Sequence, residues 1–197
     1  MKSILVLFFL ISSLFAYNQK DLDKFLNTKV CQNCDLSNAN LSGKEFQNSD
    51  LSGTNLSGAN LSKSDFLKSN LWGANLTNAN LSDTNLRASN LSAVEFKNVN
   101  CNNTTLKGAN LSNASLSNIK CKNLSLWGAT FLDTTLEEVD FSKAGAAYAN
   151  FNGVDFSKTV LEGGIFWNAK FINSTFTKTQ CKYLKTEEAI LDGAECN

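Results

Sequence analysis

The stretch "NLSGANLSKSDFLKSNLWGANL", residues 55–76, carries Leu or Phe at every fifth position without a break. On an α-helix, five steps of about 100° rotate successive apolar side chains by roughly 140°, so they form no single face. On a flat β-strand, an odd spacing sends every second apolar side chain to the opposite surface. The chain must therefore turn after each five-residue segment, which winds it into a solenoid whose coils hydrogen-bond to one another.

The same period continues through most of the chain. Steps of five from Leu36 to Cys181 give thirty central positions, occupied by sixteen Leu, ten Phe, three Cys and one Ala. Two residues before each centre the residue is mostly small or apolar, and side chains two apart in an extended segment point to the same side. We expect both columns to face inward and the other three positions to form a polar outer wall. At Ala146, the one small centre, we expect a thin core, with a bend or a local loss of packing.

The repeated pattern A-[N/D]-L-x-x, as in "ANLSN", "ANLTN" and "ANLSD", resembles the pentapeptide-repeat family, and the resemblance covers nearly everything after residue 30. It implies an all-β fold, a right-handed quadrilateral β-helix with four pentapeptides in each coil. The thirty repeats would then form about 7–8 coils, a rod about 35 Å long at roughly 4.8 Å per strand layer.

The two ends of the chain differ from the repeats. Residues 1–16 have Lys2 before an apolar run that ends at Ala16, which predicts a secretory signal peptide, with a retained N-terminal anchor as the alternative. Residues 17–30 predict a helical cap, with Leu22, Phe25 and Leu26 on one face. The repeat β-helix is then assigned to 31–185, and the weaker pattern over 186–197 predicts a C-terminal cap. The expected location is periplasmic or secreted, with no membrane attachment after cleavage.

Six cysteines in an exported chain predict disulfides. If a coil has twenty residues, Cys101 and Cys121 stack on successive coils within the distance that a disulfide accepts; two free buried thiols are the alternative. The predicted pairs are Cys31 with Cys34, Cys101 with Cys121, and Cys181 with Cys196.

The chain contains few of the residue types that usually carry out catalysis. It contains no His, which removes the usual general base and the commonest zinc ligand, and we predict no catalytic residue, cofactor or metal site. A reactive Cys-x-x-Cys lies at a helix N-terminus in a βαβ unit, whereas Cys31 and Cys34 precede a β-coil. A thiol-redox role for this pair is therefore the alternative to a structural clamp, and the resemblance favours the clamp, because many pentapeptide-repeat proteins are similar in carrying such a pair.

Charge narrows the choice of partner. Without Lys2 the chain has 17 basic and 18 acidic residues, and this neutrality argues against nucleic acid as a partner. Members of the resembled family that mimic DNA inhibit gyrase through a strongly acidic rod, a pattern from which this chain departs. A non-enzymatic exported scaffold that binds a protein partner is the favoured interpretation.

One zone of the outer wall is apolar. Trp127 and Trp167 hold the same repeat position forty residues apart, and Tyr148 comes from the coil between them. Leu132 and Ile172 occupy the corresponding places on the next face. Grouped exposed aromatic and aliphatic side chains often mark a partner site. The alternatives are that these rings pack over neighbouring coils or form a homodimer seam.

Overall fold

The computed structural model describes residues 17–197, and the predicted signal peptide at 1–16 lies outside the described residues. Most of the described chain is a succession of five-residue segments, each with one bridge position and one turn. The regular elements, in chain order, are α1 (Gln19–Thr28), β1 (Glu95–Lys97), β2 (Ser115–Lys120), β3 (Thr135–Asp140), β4 (Thr175–Phe176), α2 (Lys178–Thr186) and β5 (Glu195–Cys196).

The coils pair in parallel with an offset of twenty residues. Bridges join Asn40 to Asn60 and Asn60 to Asn80, and β1, β2 and β3 form one parallel sheet with the same offset. Each segment bonds to the coil on both sides: the Leu71 N–H donates to the Asn90 carbonyl at 2.8 Å, and the Asn70 N–H donates to the Ser49 carbonyl at 2.8 Å. One coil therefore contains four five-residue segments.

The central column forms the core, as the period predicts. Every central residue from Leu36 to Cys181 is buried. Toward the C-terminus the column becomes a Phe stack, in which the Phe151 ring lies 4.7 Å from that of Phe131 and 5.0 Å from that of Phe171, between ring centroids. Burial of these side chains is the main source of stability, because a buried Leu or Phe contributes roughly 1.5–3 kcal/mol before the ordering cost of the chain.

Ala146 lies between Leu126 and Phe166 on a different face from this stack, and it does not interrupt the ladder between coils. It is fully buried, its N–H donates to the Ile165 carbonyl at 2.8 Å, and the bridges from Gly145 to both neighbouring coils are present. The expectation of a bend at this residue is therefore wrong, because the main-chain ladder depends on backbone register and not on the size of the central side chain.

Most of the Ser and Thr side chains in the second inward column are buried with their hydroxyls bonded to the neighbouring coil. Ser89 Oγ instead donates to the Leu86 carbonyl of its own coil, and Thr159 Oγ1 has no partner among the described residues. Ser69 Oγ donates to the Phe46 carbonyl at 2.8 Å, and Thr84 Oγ1 donates to the Leu61 carbonyl at 2.8 Å. A buried hydroxyl without such an acceptor would oppose folding. The twenty-residue offset thus lets a polar side chain replace Ala in the core.

The turns place the residue two after most centres in the left-handed region. Gly, Asn and Asp occupy most of these positions, since they tolerate positive φ best. Ala93 is an exception, with φ 57°, in a conformation that crowds its Cβ against the following carbonyl oxygen.

We expect Ala93→Gly to stabilise the protein by about 0.5–1 kcal/mol, since relief of the left-handed strain exceeds the added chain entropy of Gly. Ala79→Gly is the matched control: Ala79 is buried and is not among the residues with positive φ, so its replacement should destabilise. Thermal unfolding of the two variants measures the difference. A destabilisation by Ala93→Gly equal to that of Ala79→Gly would contradict this explanation of the turns.

Helix α1 lies against the first coil. Asn18 caps it, its side chain accepting from the N–H groups of Lys20 and Asp21. The helix buries Leu22 and Phe25, and the Phe25 ring lies 4.6 Å from that of Phe46. Leu26, expected on the same face, is exposed, because the next residue along a helix turns by about 100° from Phe25.

Helix α2 is a feature that the repeat pattern does not predict, and all but its last residue lie inside the segment 31–185 assigned to the β-helix. Thr177 and Gln180 form a capping box at its start, and Leu184, between two central positions, becomes fully buried. The Gln180 Nε2 also donates to the Phe156 and Thr159 carbonyls at 2.8 and 2.7 Å. The regular coils therefore end earlier than residue 185, and β5 then returns to pair with β4.

All six cysteines form the predicted disulfides, with Cα–Cα distances of 5.4, 5.1 and 6.1 Å for Cys31–Cys34, Cys101–Cys121 and Cys181–Cys196. The central bridge changes the local ladder, because the Cys101 N–H points to Cys121 Sγ at 3.2 Å. Among the described residues, the bridge between Asn100 and Lys120 that the twenty-residue offset would give is missing. The disulfide thus replaces a main-chain link between two coils.

None of the helices within residues 17–197 is both long and apolar enough to cross a membrane.

Candidate partner-binding surface

Three aromatic side chains form a continuous group on the outer wall, which we call the aromatic cluster: Trp127, Tyr148 and Trp167. The Tyr148 ring lies 5.6 Å from that of Trp127 and 5.0 Å from that of Trp167, edge to face in both cases. Such pairs are worth about 0.5–1.5 kcal/mol beyond burial. The rings therefore hold one another in place.

The main-chain ladder brings the cluster together. The Gly128 N–H donates to the Ala147 carbonyl at 3.0 Å, and the Tyr148 N–H donates to the Trp167 carbonyl at 3.0 Å. Tyr148 occupies the left-handed turn position, with φ 59°, which Gly128 fills in the coil before. A bulky residue in this conformation is unusual, and here it sets the Tyr ring between the two Trp rings.

The cluster remains open to solvent. The exposed fractions are 53% for Trp127, 46% for Tyr148 and 45% for Trp167. Packing over neighbouring coils, the alternative explanation, thus accounts for only part of each ring surface. Each of the three residues therefore keeps about half of its surface free to contact another molecule.

Ile165 adds a fourth apolar side chain that the sequence interpretation missed. It is 58% exposed and precedes the central Phe166, while Trp167 follows it, so both lie on the same outer face. The position before a centre is usually Asn, Asp or another polar residue. An Ile at that position therefore indicates, from the sequence alone, an apolar side chain on the outer wall.

The structure separates the two aliphatic residues from the aromatic cluster. Leu132 is exposed on the next face, whereas Ile172 is half-buried. Asn152 occupies the same column between them, and its Oδ1 accepts from the Ile172 N–H at 3.3 Å. The five predicted residues therefore do not form one uninterrupted apolar patch.

Residues of the C-terminal segment, in and just after α2, form hydrogen bonds to the Trp167 end of the aromatic cluster. Trp167 Nε1 donates to Glu188 Oε2 at 3.0 Å, and the Tyr183 hydroxyl of α2 donates to the Gly164 carbonyl at 2.6 Å. Burial, followed by the charge of Glu187, raises the pKa of Tyr183, so its hydroxyl remains a donor at neutral pH. One polar contact thus holds the Trp167 side chain to the segment after α2, and the other holds the Gly164 backbone to α2 itself.

The other candidate chemistry is weakly supported. Cys31 and Cys34 are buried and joined in a disulfide, and Cys31 Sγ lies 3.3 Å from the Asp21 carbonyl in the first turn of α1. Neither cysteine begins a helix, which is the arrangement of a reactive Cys-x-x-Cys. Within residues 17–197, no group of three or more His, Cys, Asp or Glu side chains could hold a metal ion.

Parallel coils with a polar outer wall and an apolar centre define a β-solenoid, a repeat architecture that presents extended surfaces for binding. The family model for pentapeptide repeats matches residues 30–66, 56–92, 95–122 and 149–180, in eight copies. The chain belongs to the pentapeptide-repeat family. Relatives of this kind imply a right-handed β-helix, and members are generally non-enzymatic structural or interaction proteins.

Several solved structures are similar to this chain. QnrB1, described as a plasmid-mediated fluoroquinolone resistance protein, is similar at 22% identity over 85% of this chain and 80% of its own, with a TM-score of 0.50. A pentapeptide-repeat protein of the Arabidopsis thaliana thylakoid lumen matches at 18% identity over 91% and 86%, with a TM-score of 0.42. HetL of Nostoc sp. strain PCC 7120 matches at 21% identity over 91% and 94%, with a TM-score of 0.34. No curated protein sequence matches significantly.

Proposed function

We propose that this protein is a non-enzymatic, exported scaffold that binds a protein partner through the aromatic cluster and Ile165. One observation carries the proposal: four large apolar side chains, each about half exposed, lie together on an outer wall that is otherwise mainly polar. Trp and Tyr are the side chains most enriched among residues that dominate binding energy. The partner would cover these side chains and remove their apolar surface from water.

The side chains of the aromatic cluster are already ordered before a partner binds. Its edge-to-face ring contacts and the Trp167 bond to Glu188 restrict the side chains before a partner arrives. A surface that is ordered in advance loses less side-chain freedom on association. The coil ladder beneath it gives a rigid support.

Export is supported by the sequence and by the cysteines. Residues 1–16 combine Lys2, an apolar run and Ala16, the composition of a signal peptide. The three disulfides agree with an oxidising compartment. The proposed location is therefore the periplasm or the outside of the cell.

The two alternatives receive less support. A thiol-redox role requires a reachable sulfur, and both Cys31 and Cys34 are buried. A gyrase-directed role would require DNA-like charge, whereas the whole chain has 18 basic and 18 acidic residues, and the similarity to QnrB1 at 22% identity concerns the fold.

The test is a Trp127→Ser/Trp167→Ser double variant, with Trp72→Ser as the matched control because Trp72 is equally exposed on another face. We expect the double variant to lose self-association in sedimentation, or to lose the partner identified by crosslinking from producing cells, with at least a tenfold weaker affinity. Circular dichroism should stay unchanged. Unaltered association of the double variant, or an equal loss with Trp72→Ser, would contradict the proposal.

A further inference from the structure

Three basic side chains continue the line of the aromatic cluster toward the N-terminus. Lys68, Arg87 and Lys107 are exposed and occupy the same outward positions, one or two after the centre, on the three preceding coils. We call these six residues the stripe, with a basic half of Lys68, Arg87 and Lys107 and an aromatic half of Trp127, Tyr148 and Trp167.

Main-chain hydrogen bonds establish that these residues follow one another along one face. The Lys68 N–H donates to the Arg87 carbonyl at 2.9 Å, and the Ala88 N–H donates to the Lys107 carbonyl at 2.9 Å. The Gly108 N–H then donates to the Trp127 carbonyl at 2.9 Å. The basic half therefore runs directly into the aromatic half, without a lateral step to another face.

One carboxylate, Asp65, lies on this face at the N-terminal end of the stripe, where its oxygens accept from the Leu67 N–H and from the Gln47 and Asn85 side-chain amides. The outward positions of this face on the five coils from Asn85 to Asn168 contain no carboxylate. Among the described residues, Arg87 and Lys107 form no ion pair. The first carboxylate beyond the aromatic half is Glu188, which accepts from the Trp167 indole. A protein with balanced overall charge thus keeps an unpaired positive group beside its largest aromatic surface.

We propose that the stripe binds an extended polypeptide segment with acidic residues at one end and apolar residues at the other. This inference rests on the proposed function and specifies the partner's chemistry and orientation. Acidic side chains would face the basic half, and aliphatic or aromatic side chains would contact the aromatic half. At roughly 4.8 Å per coil the stripe is about 24 Å long, the span of seven or eight extended residues.

Nucleic acid fits the stripe less well. A single strand repeats phosphate and base at every nucleotide, and its binding sites combine positive charge with stacking aromatics along the same groove. Here the charges and the rings lie in separate halves, and the Tyr148 ring is edge to face with both Trp rings. Because the basic and aromatic halves of the stripe are separate, they fit a polypeptide segment whose acidic and apolar residues are also separate.

The test measures binding of two synthetic octapeptides by the fluorescence of Trp127 and Trp167, in a Trp72→Phe background that removes the third Trp. One peptide has four Glu followed by alternating Leu and Phe, and the other has Gln in place of Glu. We expect the Glu peptide to bind about tenfold more tightly at low salt, an advantage that decreases as salt screens the charges.

The Arg87→Gln/Lys107→Gln variant should lose this advantage and bind the Gln peptide as before. The matched control is Lys97→Gln/Lys122→Gln, which removes two exposed charges from other faces and should leave the advantage intact. Equal affinity for both peptides, no binding of either peptide, or an equal effect of the two charge variants would overturn the inference. Tighter binding of oligothymidine than of the Glu peptide would overturn it in favour of nucleic acid. The proposed function is decided separately by the Trp127→Ser/Trp167→Ser variant.

Discussion

Replacing Phe151 with Ala is expected to lower the free energy of unfolding by about 3–5 kcal/mol, the range measured when a large core aromatic residue is truncated. Phe151 is fully buried and its ring stacks on those of Phe131 and Phe171 at 4.7 and 5.0 Å. It also meets the Phe156 ring edge to face at 5.4 Å. The neighbouring coils are fixed by their ladders and cannot close the cavity.

Urea unfolding with the disulfides intact measures this loss. Leu132→Ala is the control, because Leu132 is exposed and such a surface substitution usually changes stability by less than about 0.5 kcal/mol. A loss below about 1.5 kcal/mol for Phe151→Ala would mean that the Phe stack is not the tightly packed core described here.

A larger effect is expected from a change of register. Deletion of residues 61–80 removes one whole coil and joins Asn60 to Leu81, so every remaining side chain keeps its direction. Deletion of residues 61–79 joins Asn60 to Asn80 and shifts the columns by one at the junction. A coil whose four centres turn outward loses roughly 1.5–3 kcal/mol for each of them, a total comparable to the whole stability of a domain.

Circular dichroism and urea unfolding compare the two deletions. The twenty-residue deletion should fold cooperatively with a moderately lower midpoint, because the stability of a solenoid is approximately a sum over its repeats. The nineteen-residue deletion should lose cooperative unfolding across the junction. The same midpoint for both proteins would contradict the twenty-residue coil.

The solenoid could be predicted from the sequence because its signal is repeated thirty times and rests on one physical rule. Each centre must leave water, and only a turn after five residues brings every centre inside. The disulfide between Cys101 and Cys121 followed from the same offset. The prediction of a bend at Ala146 was wrong because the path of the coils depends on the main-chain ladder and not on the size of the central side chain.

The five-residue repeat does not predict the C-terminal helix α2. Thr177 and Gln180 are polar residues like those of the outer wall. Only the reciprocal capping hydrogen bonds between them identify the start of a helix. Leu184, two residues before the frame position of Thr186, keeps the second inward position and is buried there on α2. A helix start that depends on two residues carries no periodic signal.

The candidate surface was predicted in part. The alignment of Trp127 with Trp167 follows from their forty-residue spacing, and the twenty-residue coil places Tyr148 between them, whereas the ring contacts depend on the left-handed backbone of Tyr148. The separation of Leu132 from Ile172 depends on one intervening Asn152 side chain. Net charge does not predict the basic half of the stripe, because it does not show how charges are distributed among faces.

The twenty-residue ladder on which the surface is built can be measured directly by NMR, through scalar couplings across hydrogen bonds in deuterated protein. The Leu71 amide nitrogen should couple to the Asn90 carbonyl carbon, and the Asn70 amide nitrogen to the Ser49 carbonyl carbon, since both bonds are 2.8 Å long. Couplings from these amides to carbonyls four residues earlier, or to carbonyls at another offset, would contradict the stacked coils and the aromatic cluster they align.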